Sequence, residues 1–155
     1  MVAISLLYFI LAAQFESIIQ PLIILSEIVV DVFFVLLGLW LFGESLNIMS
    51  MIGLVVMSGI IINDSILKVD TINRLRKQGM PVLKAVFAGG HSRLKPIIMT
   101  SLTTILAIAP FLNRVDMGSD LQYPLSLSII IGMTVGTLIS LFFIPLIYYI
   151  IYRKR

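Results

Sequence analysis

No cysteine occurs in the 155 residues, so disulfide frameworks, thiolate metal sites and dithiol redox chemistry are excluded. The single histidine, His91, rules out a histidine-rich metal site within the chain. Charge is scarce as well. Asp, Glu, Lys and Arg make up 12% of the residues, where an ordinary soluble domain carries roughly 25%. No Ser/His/Asp set, phosphate loop or metal-ligand spacing is present, so an enzymatic reading has no residues to rest on. The N-terminus, MVAISLLYFILAAQFES, lacks the basic n-region of a signal peptide. It starts inside an apolar run, as the second half of a longer helix would.

What the chain does have is apolar surface: 59% of its residues are hydrophobic. A water-soluble core of this length cannot absorb that much. The composition predicts an all-α integral membrane protein, a polytopic helix bundle in a lipid bilayer. Residues 1–13 are too short to span and read as the end of a truncated helix. Residues 21–42, 49–69, 94–112 and 123–152 read as four full transmembrane helices. Residues 70–93 form a basic connection containing a short surface helix that begins at Pro81 and is broken by Gly89-Gly90. Pro21 and Pro96 suit the first turns of their helices, and Gly43 suits a helix C-terminus. Gly132 and Gly136 allow another helix to approach closely. Pro145 marks a kink, and Tyr148, Tyr149 and Tyr152 read as an interfacial aromatic cluster.

The basic residues predict the orientation. Seven of the eleven lie from Lys68 to Lys95, three more are Arg153, Lys154 and Arg155, and Arg114 alone falls on the opposite side. The positive-inside rule then puts the Lys68–Lys95 stretch and the C-terminus in the cytoplasm. The turn at 43–47 and the loop at 113–122 face outward. No stacking aromatics interleave with these charges, so the basic stretch is a topology signal and not a nucleic-acid surface.

The polar residues inside the apolar runs are the candidate sites. Asn63, Asp64 and Ser65 interrupt the 49–69 span, where an ionised carboxylate costs several kcal/mol. Asp64 has two readings: an i,i+4 ion pair with Lys68, or a protonatable relay inside the bundle. Arg93 and Thr100 share a helical face, which Thr104 continues with Thr103 beside it. That stripe either faces Asn63 and Asp64, or consists of an interfacial arginine and threonines bonded to their own helix. Glu27 and Asp31 are an i,i+4 pair of like charges in the 21–42 span, so at least one must be protonated or paired. The sequence supplies no mechanism for them.

Several segments together resemble the C-terminal membrane region of resistance–nodulation–division (RND) efflux transporters. They are AAQFES (12–17), SLNIMSMIGLVVMSGIIINDSIL (45–67), RLKPIIMTSLTTILAIAPF (93–111) and PLSLSIIIGMTVGTLISLFFIPLIYY (124–149). The hydrophobe/amphiphile (drug) efflux branch looks closest. The resemblance implies a bacterial inner-membrane pump of twelve transmembrane helices with two large periplasmic insertions. This chain would supply the end of the eighth helix and the ninth to twelfth. Such pumps are typically homotrimers that work with a periplasmic adaptor and an outer-membrane channel. They use protons as the coupling ion and no other cofactor. Their relay centres on two fourth-helix aspartates that this chain does not contain. The relay's tenth-helix lysine is replaced here by Asn63, followed by Asp64, while its eleventh-helix arginine and threonine correspond to Arg93 and Thr100. Glu27 and Asp31 fall where relatives are usually apolar or carry proline.

The sequence thus predicts the C-terminal transmembrane part of a proton-coupled exporter of hydrophobic or amphiphilic compounds, inactive as an isolated fragment. The alternative is a small helical membrane protein with a structural or assembly role and no transport. A self-contained protein should begin with a complete, capped span, and this one begins mid-helix.

Overall fold

The computed structural model describes residues 2–113 and 118–153. Arg114, Lys154 and Arg155, used above for orientation, lie outside them. Among the described residues the fold is all-α: α1 (Val2–Phe15), α2 (Ile19–Leu41), α3 (Ile48–Lys77), α4 (Val82–Ile108), a 3-10 turn (Ala109–Leu112) and α5 (Ser119–Tyr152). The last four helices, with the 3-10 turn extending α4, are long and apolar enough to cross a membrane, and α1 is a shorter apolar helix.

Local chemistry sets the helix ends. Pro21 lies in the first turn of α2, where its missing N–H has no helical acceptor anyway. Gly43, at φ +73°, closes α2. Its N–H donates to the Trp40 carbonyl and that of Glu44 to the Leu39 carbonyl, the paired bonds of a Schellman cap. Gly79, at φ +88°, does the same for α3. Asn47 caps α3: its side chain accepts from the Ser50 N–H at 2.8 Å, and Ser50 Oγ accepts from the Asn47 N–H at 3.0 Å.

Residues 81–93 differ from the expectation. There is no separate surface helix, because α4 runs unbroken through Gly89-Gly90 and holds Pro96 in its interior. Gly89 is there for contact and not for a break. A Cβ at that position would lie 2.7 Å from Ile72 Cγ1 and 3.4 Å from Ile72 Cα, so α3 crosses where α4 has no side chain.

Helix α5 is the centre, packed against α2, α3 and α4. Gly132 receives Met57 and Val35, Gly136 receives Ile61 and the Asp31 carboxyl, and Gly53 of α3 lies against the Leu125 carbonyl. Two apolar clusters result. One holds Ile24, Val69, Ile72, Val86, Ile144 and Tyr148. The other holds Val35, Leu39, Met57, Ile61, Leu127 and Met133. Helices α2 and α4 run from the first cluster to the second, and α3 and α5 run back from the second to the first, so consecutive spans alternate in direction. Large apolar side chains such as Trp40, Val55 and Phe142 cover the outside. This is an inside-out distribution for water and the ordinary one for a bundle in lipid.

Candidate functional site

Between the two apolar clusters lies a buried polar layer built by three helices. Helix α2 contributes Glu27 and Asp31, α3 contributes Asp64, Ser65 and Lys68, and α5 contributes Ser140; all six are buried. Asp31 stands about halfway along α2. Ser65 Oγ donates to Glu27 Oε2 at 2.5 Å and lies 3.2 Å from Ser140 Oγ. Lys68 Nζ donates to the Ser140 carbonyl at 2.6 Å and to Ser140 Oγ at 2.7 Å. The lysine is therefore joined to Glu27 through two hydroxyls. Glu27 Oε1 and both Asp31 oxygens are buried with no hydrogen-bond partner among the described residues.

These positions answer the sequence expectations one by one. Glu27 and Asp31, left without a mechanism, belong to the centre of the layer. Asp64 points into it as well. The i,i+4 reading of Asp64 with Lys68 as a helix-surface ion pair is not what forms, since Lys68 turns to α5. The ion pair found among the described residues is Arg74–Asp70, at 3.1 Å on the exposed end of α3. Ser65 and Ser140 were the residues missed as layer members. Their signal was the stripe Gly132, Gly136, Ser140 at i, i+4 and i+8 on α5, and the Ser65 hydroxyl beside Asp64. Among the described residues, no three acids or histidines converge as a metal-ligand set.

Asn63, Arg93 and Thr100 are elsewhere. Asn63 and Thr100 are exposed and Arg93 is half-buried. Arg93 Nε donates to Thr71 Oγ1 of α3 at 2.7 Å, and Thr71 in turn donates to the Leu67 carbonyl. Thr100 donates to the Pro96 carbonyl at 2.6 Å, Thr103 to Met99 and Thr104 to Thr100. The threonines thus bond their own helix, as one of the two readings has it, while Arg93 reaches across to α3 as more than an anchor. Asn63, Leu67 and Thr71 follow one another at i, i+4 and i+8. The Arg93–Thr71 bond therefore sets the α3 and α4 polar stripes on one outer face, with the buried layer on the other side of α3.

At the basic end a third polar group ties the helices. Asn73 exchanges two hydrogen bonds with Gln20, at 2.7 and 3.1 Å, and Tyr148 OH donates to Asn73 Oδ1 at 2.6 Å. Arg76 donates to Tyr148 OH at 3.1 Å and lies 4.6 Å from the Tyr152 ring centroid. Tyr148 is fully buried. It is a bundle residue and not part of an interfacial belt.

A multi-pass helical bundle with ionisable side chains held inside its spans is the kind of architecture in which such residues mark ion or substrate paths. The family comparison makes this specific. The profile of the AcrB/AcrD/AcrF family matches residues 1–152, and the chain belongs to that family of RND efflux transporters. It is 35% identical over 147 residues to multidrug resistance protein MdtC of Erwinia amylovora, a match covering 94% of this chain and 14% of that protein. It is 29% identical over 154 residues to swarming motility protein SwrC of Bacillus subtilis, covering 99% and 15%. Among solved structures it superposes on a heavy metal efflux pump with a TM-score of 0.87 at 29% identity, covering 98% of this chain and 15% of that one. A second crystal form of a heavy metal efflux pump gives 0.83 at 27% identity, covering 99% and 15%. The chain therefore spans only a small part of the length of the relatives it matches.

Proposed function

We propose that this chain is the C-terminal transmembrane part of a proton-coupled exporter of hydrophobic or amphiphilic compounds. In this reading it sits in the bacterial inner membrane with its basic end and C-terminus in the cytoplasm. The observation that carries the reading is the outer face of Asn63, Thr71, Arg93 and Thr100. An arginine and an asparagine on a membrane-facing surface are costly unless another polar group meets them. Protonatable carboxylates on the pump's remaining helices are the partner this face fits. A proton taken up there would weaken their pairing with Arg93 and Thr100, and α3 and α4 would shift together. Asp64, one residue round the helix from Asn63, would feel that shift from the buried side.

The periplasmic domains of the same pump, a homotrimeric arrangement, a periplasmic adaptor and an outer-membrane channel complete the exporter. The coupling ion is the proton, and no enzymatic step is involved. The name of MdtC supports drug-like cargo. The heavy metal pump favours a second reading, in which the cargo is a metal ion.

The test compares ethidium efflux in a pump-deficient host. The native polypeptide should confer efflux and residues 1–155 alone should not. Arg93→Ala should lower efflux about tenfold or more, the loss of a charged hydrogen bond of roughly 1.5–3 kcal/mol in the working state. Efflux by the isolated chain, or undiminished efflux in Arg93→Ala, would overturn the proposal. Resistance to silver or zinc salts without ethidium efflux would replace the cargo with metal.

A further inference from the structure

We propose that the buried layer of Glu27, Asp31, Ser65, Lys68 and Ser140 is a second proton-binding site, separate from the outer Asn63–Arg93–Thr100 face. The proton is carried on the carboxyls of Glu27 and Asp31.

The argument is one of charge and donors. Three carboxylates, Glu27, Asp31 and Asp64, share the layer with one cation, Lys68. The groups acting on Glu27 are Ser65, Ser140, Lys68 and Asp64, and the charge acting on Asp31 is Glu27. Helices α1, α4 and α5 add no titratable side chain to these described neighbours. With every acid ionised, two negative charges would stay uncompensated between two apolar clusters. An unpaired buried charge costs several kcal/mol even after the protein relaxes.

Hydrogen-bond donors lead to the same place. Ser65 donates its hydroxyl hydrogen bond to Glu27, and Lys68 is committed to Ser140. Three carboxylate oxygens on two residues, each 1% exposed, then have no donor. A proton on either carboxyl cancels one of those two charges and brings one donor into the layer. The step is a simple addition: hydronium gives its proton to a carboxylate oxygen and leaves as water, and nothing is oxidised or reduced. Glu27 and Asp31 are one turn apart on the same face of α2, with Cβ atoms about 6 Å from each other, so protonating one lowers the charge that acts on the other. Lys68 stays fixed on Ser140 as the counter-charge. The Asp31 carboxyl lies against Gly136, where no side chain separates α2 from α5. Neutralising it changes the contact on which the bundle centre is built.

The site's role in transport rests on the reading of the chain as part of a proton-driven pump, but proton binding itself does not. The experiment is pH-difference infrared spectroscopy of the purified native polypeptide in lipid. The expected result is a carbonyl-stretch band of a buried protonated carboxyl that Glu27→Gln or Asp31→Asn removes. Asp70→Asn, at the exposed Arg74 pair, should leave it in place. Ser65→Ala and Ser140→Ala alter the hydroxyls and none of the charges and should move the band, which decides the matter where an acid variant fails to assemble. A band untouched by all four substitutions would overturn the proposal, and so would one that follows sodium concentration instead of pH. Transport is not read here. A pump that keeps the band but exports nothing would defeat the functional reading and leave the site standing.

Discussion

Tyr148 owes its position to its hydroxyl. The ring is buried against α2 and α3, and the O–H both donates to Asn73 and accepts from Arg76. Tyr148→Phe keeps the ring and leaves Arg76 and Asn73 short of a partner in a buried place. A loss of about 1–2 kcal/mol is expected, read as a lower thermal midpoint of the purified native polypeptide. Tyr152 OH accepts from Gln20 Nε2 at 3.1 Å, and Tyr152→Phe should cost less, because Gln20 keeps its two bonds to Asn73. A tyrosine near the end of an apolar span reads from sequence as an interfacial residue. Its true partner is 75 positions away, and no local pattern reveals a contact that distant. Glu27 and Asp31 were hidden in the same way. Their spacing showed that one of them needed help, but Ser65 and Ser140 sit on other helices.

At the scale of the element, glycines decide how closely the helices meet. Gly53 and Gly59 are six residues apart on α3 and differ completely in surroundings. A Cβ on Gly53 would lie 2.8 Å from the Leu125 backbone oxygen, whereas one on Gly59 would meet nothing within 4 Å. Gly53→Ala should therefore push α3 from α5 and destabilise by about 1–3 kcal/mol. Gly59→Ala should be neutral or stabilising by up to about 1 kcal/mol, since alanine is the better helix former. Thermal unfolding of the two variants side by side checks the contrast. The helix end at Gly43 was legible, because a C-terminal glycine carries short-range chemistry. Gly89-Gly90 misled for the same reason. Two adjacent glycines read locally as a break, and only the crossing of Ile72 shows that they make room. The close approach to Gly132 and Gly136 was legible as a possibility, though not which side chains would fill it.

Across the whole molecule, α3 divides two polar surfaces. Asp64, Ser65 and Lys68 face inward to the buried layer. Asn63 and Thr71 face outward, with Arg93 bridging from α4. The spans and the family were legible in the sequence because both rest on long apolar runs and ordered segments. The separation of Asn63 from Asp64 was not, since adjacent residues on a helix point about 100° apart and only packing decides which one is enclosed. On this account the outer face belongs to the proton relay of the complete pump and the inner layer carries a proton of its own.

The decisive measurement is proton movement in everted membrane vesicles containing the native polypeptide. The vesicles are energised to an acid interior and followed with a pH-sensitive dye. Addition of ethidium should release part of the gradient in these vesicles and not in vesicles lacking the pump. Arg93→Ala should cut that release about tenfold or more. Ethidium export that persists after a protonophore has collapsed the gradient would contradict the account.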